Sequence, residues 1–500
     1  MRTKPLKLYL RLLIAGALFP LALAPFSYWP IAIVSMTILF YNLHQQSAKQ
    51  AFVRSAIYGL GMFGTGVSWV FVSMYVFGNV SVFLALLGTL IFCFFNAVFF
   101  ALPFMLCGLT PKRPAISLVT LPALWVISEW VRSWLFTGFP WLYAGYSHTD
   151  TWLNGWAPIG GVLLLSFFTA FAANALAQIR LQKDTALPLT ALSLVAALFL
   201  AGLALQKIDW TEPAQTSVSV ALVQPNVAQH DKWSVSKRHQ IMQNLLVQTE
   251  PHWGTDIIIW PEGAIPALYT QIPNFLEHID QRALTSRTTL ITGLPTNDKP
   301  EGPYYNSMLA LGKSHGVYNK TRLVPFGEYV PLEKLIRGLN NFFDLPMSSF
   351  SLGSKNQPLL TAAGQTISTA ICYEIAYPDL VAKNSRKSNI LLTVSNDAWF
   401  GNTIAPDQHM QMARMRAIEN AKPLMRGTNN GITALVDRRG KITTKLDQFT
   451  EGVITESVTP YTGDTPFTKY GSWPIVIFSL IIITVAILII LRNCSNGDLL

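Results

Sequence analysis

Residues 256–263 read Asp256-Ile257-Ile258-Ile259-Trp260-Pro261-Glu262-Gly263. A short β-branched run ends in a turn, and the turn presents a carboxylate. Two further segments have the same build: Gly316-Val317-Tyr318-Asn319-Lys320 and Ile367-Ser368-Thr369-Ala370-Ile371-Cys372-Tyr373-Glu374. Each sets one reactive side chain at or just after a short apolar run. Together they supply a carboxylate, an ammonium and a thiol. Acyl transfer through a thioester needs such a set: a nucleophile, a proton shuttle and a cation for the developing oxyanion.

Outward from these segments, β-rich runs alternate with helical patterns. The runs lie at 218–223, 256–260, 289–292, 307–311, 366–371, 389–394 and 431–436; helical spacing appears at 234–250 and 405–421. Strands alternating with helices indicate a layered α/β domain, and about 260 residues fit one such domain. Reactive residues at strand ends suit that architecture, because sites in layered folds are built there.

The rest of the chain is strongly apolar. Its 500 residues are 51% hydrophobic and only 13% charged, and the mean hydropathy is +0.34. Seven apolar runs precede the polar block, at about 8–25, 28–44, 53–75, 80–107, 115–135, 158–179 and 186–206, and an eighth covers 473–491. Most reach the roughly 17–25 residues that cross a bilayer core. The expected organisation is a seven-helix membrane bundle over 1–207, an external catalytic domain over 208–472, an eighth transmembrane helix over 473–492 and a tail over 493–500. Ala22-Leu23-Ala24 resembles a signal-peptide cleavage site, but Pro25 and the next apolar run favour an uncleaved first helix.

Charge sets the orientation. Arg2, Lys4, Lys7 and Arg11 lie at the first span, and Lys49, Arg54, Lys112, Arg113, Arg180, Lys183 and Arg492 fall in alternate loops or at the last span's end; the loops 26–28, 76–79 and 136–157 have no Lys or Arg. The positive-inside rule then places both termini in the cytoplasm and 208–472 outside, the periplasm of a bacterium. The net charge of +10 belongs to these loops, so no nucleic-acid partner is expected. Of four cysteines, Cys93 and Cys107 lie in a span and Cys494 in the tail. Cys372 is alone in the external block, with no disulfide partner there.

The motifs closely resemble the carbon–nitrogen hydrolase (nitrilase) superfamily, whose Glu, Lys and Cys follow that chain order on an αββα sandwich. With the flanking spans, the chain resembles the membrane-embedded branch, the apolipoprotein N-acyltransferase family. Trp260-Pro261-Glu262, Asn319-Lys320, Leu323-Val324-Pro325-Phe326-Gly327-Glu328, Cys372-Tyr373-Glu374-Ile375 and Ser395-Asn396-Asp397-Ala398-Trp399-Phe400-Gly401 carry the resemblance.

It implies that Cys372 is the nucleophile, Glu262 the general base and Lys320 the cation beside the oxyanion, with the Tyr373 N–H as a second donor. Lys320 is also expected to lower the thiol pKa toward thiolate. Glu328 is expected to support Lys320. Glu374 is expected either to orient Lys320 or to meet the incoming amine, and Tyr373 to line the pocket. Trp233, Asn396, Trp399 and Phe343 are substrate-binding candidates, with Asn396, Asp397 and Trp399 shaping a wall. The stretch 341–350 reads as a lid over the site or as an ordinary packed loop. Glu129 and Arg132, three apart near a span's outer end, read as a snorkelling structural pair. His148 and His252 have no metal-ligand spacing, so no metal or cofactor is expected.

The implied reaction moves a fatty acyl chain from a phospholipid, by family analogy phosphatidylethanolamine, through a Cys thioester. The acceptor is the α-amino group of a diacylglyceryl-cysteine at an apolipoprotein N-terminus. A monomer in the bacterial inner membrane is expected. A membrane-tethered amidase or nitrilase acting on a small amide would use the same triad without needing the bundle. A transporter would show Gly-broken helices at mid-membrane; Gly59, Gly61, Gly64 and Gly66 fit that reading and close helix packing equally.

Overall fold

The computed structural model describes residues 5–109, 113–297, 302–329 and 350–495. The expected lid at 341–350, Phe350 apart, and the candidate Phe343 lie outside them. The chain divides into two units. One comprises Met1–Phe71, Ser81–Ile208 and Tyr470–Leu500; the other comprises Val72–Val80 and Asp209–Lys469.

The first unit is helical. Its helices are Pro5–Leu18, Pro30–Leu43, Ala48–Gly66, Val82–Ala101, Pro114–Arg132, Ala157–Leu181, Ala186–Leu205 and Trp473–Ser495. Proline opens three of them, where its missing N–H costs nothing and its fixed φ suits the first turn. Among the described residues six helical stretches are long and apolar enough to cross a bilayer, or seven if the pair Ala48–Gly66 and Trp69–Phe77, bent by 51°, counts as one. The run read at 53–75 is therefore broken after Gly66. Pro30–Leu43 has only 14 residues, or about 21 Å of helix against a core of about 30 Å.

Large apolar side chains face outward along this unit, among them Phe83, Leu90, Ile91 and Phe94 on one helix and Ile477, Phe478, Ile481 and Leu488 on the last. A soluble protein would hide such faces; a lipid-facing surface exposes them. Gly59, Gly61 and Gly66 of the third helix serve packing, whereas a Cβ on Gly64 would meet nothing within 4 Å. A Cβ on Gly61 would lie 2.0 Å from the Leu13 carbonyl oxygen, and one on Gly16 would lie 1.9 Å from that of Tyr58. The helices Pro5–Leu18 and Ala48–Gly66 thus touch backbone to backbone.

Glu129 and Arg132 do not snorkel. Both are buried inside the bundle. Glu129 accepts from the Trp125 indole and the Ala144 N–H. Arg132 donates to the Trp141 carbonyl and lies over the Phe63 and Tyr143 rings. Polar groups on residues 141–144 thus meet part of their hydrogen-bonding capacity, while Glu129 Oε2 and Arg132 Nε and Nη2 have no hydrogen-bond partner among the described residues.

The second unit holds two six-stranded sheets. In spatial order the first runs Gly452–Val458, Val218–Gln224, Ile257–Ile259, Thr289–Asn297, Tyr304–Gly312, Gly316–Asn319. The second runs Ile442–Lys445, Ala434–Val436, Leu424–Thr428, Ile390–Ser395, Gln365–Ile371, Leu360–Ala362. In each, three central strands are parallel and the others antiparallel.

Alternation sorts the side chains. Val220, Leu222, Ile257, Ile259 and Met308 meet Ile367, Ile371, Ile390, Leu392 and Met425 between the sheets. The opposite face of the first sheet, with Ala221, Val223 and Ile258, packs on Ile241 and Leu245 of Val235–Thr249 and Ile279 of Pro273–Thr285. That of the second, with Ala370 and Leu391, packs on Met410, Ala413 and Ala417 of Ala405–Asn420. The layers are helix, sheet, sheet, helix, as period-2 strands with two apolar faces require.

Candidate active site

Three strand ends build the site. Trp260 leaves the strand Ile257–Ile259 still bonded to its neighbour, its N–H donating to the Ile291 carbonyl at 2.9 Å. The indole donates to Thr249 at 2.9 Å. Both bonds fix the start of the Pro261-Glu262-Gly263 turn. The turn lies so close to the next strand that a Cβ on Gly293 would sit 2.6 Å from the Pro261 oxygen. Only glycine fits there.

The Glu262 carboxylate is buried and fully engaged. Oε1 accepts from Asn306 Nδ2 at 2.7 Å and from Lys320 Nζ at 3.3 Å. Oε2 accepts from the Asn396 N–H at 2.9 Å. Lys320 is 1% exposed and also donates to Glu328 Oε1 at 2.8 Å. Asn306 donates its second N–H to that oxygen at 2.7 Å. Glu328 Oε2 accepts from the Val324 N–H at 2.8 Å, within its own turn. Lys320 thus sits between two carboxylates that share one amide.

Cys372 begins the turn after Gln365–Ile371 with φ of 51°. A non-glycine residue in the left-handed region is strained, and such strain collects at functional sites. A hydrogen bond and a buried carboxylate hold the turn. His409 Nε2–H donates to the Cys372 carbonyl at 3.1 Å. Glu374 Oε2 accepts from the Ile371 N–H at 2.8 Å. Glu374 Oε1 accepts from the N–H and hydroxyl of Thr321, both at 2.7 Å, and Tyr318 donates to the same carboxylate. Glu374 therefore ties the residue after Lys320 to the residue before Cys372. It is fully buried and enclosed by donors, with Thr321 between it and Lys320.

The electrostatics refine the expectation for the thiol. Burial and Glu262 push the Cys372 thiol well above its usual range, and Lys320 only partly offsets them. The resting group is a thiol, not the thiolate expected beside a lysine. Burial also pushes the Glu262 carboxyl up, but Lys320, Asn306, Lys232 and the Asn396 N–H together hold it below its usual value. Burial lowers the Lys320 ammonium, and Glu262 and Glu328 outweigh it, so the pKa is raised. At neutral pH an ionised carboxylate thus stands near a protonated thiol, the pairing a general base needs.

The other candidates have varied surroundings. Asn396 bonds Gln229 and Asn429 through its side chain and Glu262 through its N–H. Asp397 pairs with Arg426 at 2.7 Å and lies 3.0 Å from His409 Nδ1. Tyr373 stacks edge-on to Tyr377. The Trp399 carbonyl accepts from Ser73 at 2.8 Å, and its ring meets Phe77 edge-on. A Cβ on Gly263 would lie 3.7 Å from the Trp233 ring. Asn306, Lys232 and His409 went unread in the sequence. Asn306 left a signal, since asparagine is depleted in strands and this one stands inside Tyr304–Gly312.

Residues 15–175 match the model of the apolipoprotein N-acyltransferase N-terminal domain, and residues 219–467 match that of the carbon-nitrogen hydrolases. An apolipoprotein N-acyltransferase of Azotobacter vinelandii is 43% identical over 95% of this chain and 94% of its own. One of Vibrio cholerae is 42% identical over 92% and 93%. The chain belongs to the apolipoprotein N-acyltransferase family. Both halves of the family pattern, helical and hydrolase-like, are thus present in one chain, and the cluster described above lies in the hydrolase-like half.

Proposed function

We propose that the protein is a phospholipid:apolipoprotein N-acyltransferase acting through Cys372, Glu262 and Lys320. Family membership over nearly the whole chain supports lipoprotein N-acylation by a multi-pass inner-membrane enzyme. It gives no support to a small-amide hydrolase or a transporter. The observation that carries the residue assignment is the buried Lys320 shared by Glu262 and Glu328, in electrostatic contact with Cys372 on its left-handed turn.

Glu262 takes the Sγ proton as Sγ bonds the ester carbonyl carbon of the donor. The oxyanion develops beside the Lys320 ammonium. The carbon–oxygen bond breaks, and Glu262 returns the proton to the departing lysophospholipid alkoxide. The α-amine of the diacylated cysteine then attacks the thioester. Glu262 accepts its proton, the carbon–sulfur bond breaks, and the proton passes to the thiolate. The product is an amide. A lipid surface limits water, the competing acceptor.

Several finer points belong to the same proposal. The donor is phosphatidylethanolamine, used at its first acyl position. Eight segments cross the membrane, counting the bent pair and Pro30–Leu43. Both termini are cytoplasmic, 208–472 is periplasmic, and the working unit is a monomer. Intact mass after incubation with phosphatidylethanolamine tests the first half-reaction. A gain of one acyl group, released by hydroxylamine and absent in Cys372→Ala, is expected. An adduct that persists in Cys372→Ala overturns the nucleophile assignment.

A further inference from the structure

Lys232 ends the short helix Gln229–Lys232, in the sequence Asp231-Lys232-Trp233. Asp231 is partly exposed, yet the Lys232 side chain turns inward and the residue is only 3% exposed. Buried lysines are rare unless paired. Its Nζ donates to the main-chain carbonyl of Glu262 at 3.0 Å. Among the described residues that is its one hydrogen bond, out of three donors. Its titratable neighbours are Glu262 and Cys372. A Cβ on Gly263 would lie 3.7 Å from Nζ, so the ammonium lies against the turn that carries Glu262.

We propose that Lys232 is a positioning residue for acyl transfer, clamping the Glu262 turn by its carbonyl and holding a second positive charge beside the base. The inference rests on the triad reading above.

The charge count explains why a second cation belongs here. Glu262 and Glu328 bring two negative charges to this cluster and Lys320 one positive. With Lys232 the cluster is neutral while Cys372 is a thiol. Without it, one uncompensated negative charge stays buried, and such a charge is relieved by taking up a proton. Glu262, no longer flanked by two ammonium groups, is the group that would take it, and a protonated Glu262 is no base. Burial lowers Lys232 itself to about 8, with Glu262 and Cys372 opposing the fall. It thus remains mostly cationic at neutral pH.

The groups that face Glu262 are Lys320, Lys232, Asn306 and the Asn396 N–H. Those that face Cys372 are Glu262, Lys320, Asp397, Glu328 and Lys232. Loss of Lys232 raises both Glu262 and the thiol. The thiol is protonated either way, so the change falls on the acid limb of the pH profile, where Glu262 titrates.

Two variants separate the clamp from the charge. Lys232→Gln keeps a donor for the Glu262 carbonyl and removes the charge. Lys232→Arg keeps both. The experiment follows thioester formation by the full-length enzyme in phosphatidylethanolamine micelles as a function of pH, with the melting temperature recorded for each variant. For Lys232→Gln the acid limb is expected to move up by about one pH unit, a loss of about tenfold on that limb. KM for the lipid should change less than about twofold, since Lys232 is placed on the base and not on the donor. Lys232→Arg should keep the wild-type limb. A Lys232→Gln enzyme with the wild-type acid limb overturns the proposal, and so does a rate loss that tracks only a fall in melting temperature. A wild type that forms no thioester overturns the triad reading instead.

Discussion

Two buried polar clusters meet the Cys372 region, and they are built on different plans. In the first, Lys320, Lys232, Glu262, Glu328 and Asn306 bond largely through side chains, and each carboxylate has a lysine at hand. In the second, Glu374 accepts from the N–H groups of Ile371 and Thr321, and Asp397 is locked between Arg426 and His409, which in turn holds the Cys372 carbonyl. Side-chain ion clusters can exchange protons as the reaction proceeds. Glu262 and Glu328 each take one backbone N–H but keep the other oxygen on the Lys320 and Asn306 side chains. Glu374 has N–H or hydroxyl donors on both oxygens, and Asp397 is held by a guanidinium and an imidazole, so neither can take a proton without losing the geometry it holds. The first cluster is suited to chemistry and the second to shape.

That division predicts separable losses, and the largest fall in the first cluster. Glu262→Gln keeps the size and most bonds of the carboxylate but removes the base. Thioester formation should drop by about a thousandfold or more, while stability falls by only about 2 kcal/mol, because the amide N–H₂ leaves one buried donor such as the Asn396 N–H unmet. Lys320→Met should lose as much activity and also stability, because Glu328 would be left buried without a cation and Glu262 would keep only Lys232, at a cost of about 3–5 kcal/mol. Single-turnover mass spectrometry and thermal melting in detergent separate the two variants. A Glu262→Gln enzyme within tenfold of wild type would break the comparison at its root.

The second cluster should fail by unfolding. Glu374→Gln places an N–H₂ where N–H and hydroxyl donors converge, leaving at least one buried donor unmet, at a cost of about 2 kcal/mol. Activity per folded molecule should fall less than about tenfold, measured as burst amplitude against melting temperature. If Glu374→Gln melts like wild type yet forms no thioester, Glu374 belongs with the first cluster.

Asp397 gives the comparison a pH signature. Burial pushes its carboxyl up, but Arg426 and His409 hold it lower, at about 2. A carboxyl depressed on folding contributes stability above its unfolded pKa of about 3.9 and loses it as pH falls through the folded value. Wild-type melting temperature should therefore drop between about pH 4 and pH 2. Asp397→Asn should be less stable at neutral pH and show a flatter profile across that window.

Some of this was legible in the sequence for a physical reason. Glu262, Lys320 and Cys372 each follow a strand, so local pattern marked them as candidates, and the resemblance of their motifs supplied the expected roles. The membrane helices were legible because lipid demands long apolar runs. The bend after Gly66 was not, since the composition stays apolar through residue 75 while the backbone turns. Lys232 and Asn306 were hidden because their roles depend on contacts 30 and 44 residues away, fixed by sheet register. The left-handed backbone of Cys372 left no trace, because the residue there is not glycine.

The smallest effect concerns a segment whose first residues, up to 75, the apolar pattern assigned to the membrane. Val72–Val80 falls with the hydrolase-like unit. Ser73 donates to the Trp399 carbonyl, and a Cβ on Gly401 would lie 3.2 Å from Val72 and 3.4 Å from Phe77. The loop so contacted begins with Asp397, which leads through His409 to the Cys372 carbonyl. Ser73→Ala removes one hydrogen bond, worth about 1 kcal/mol. Deuterium uptake at 397–401 should rise severalfold while thioester formation changes less than about threefold. A larger loss of activity would mean that the shape-holding cluster depends on this segment, and that the nucleophile's turn is supported from a part of the chain that its composition assigns to the bilayer.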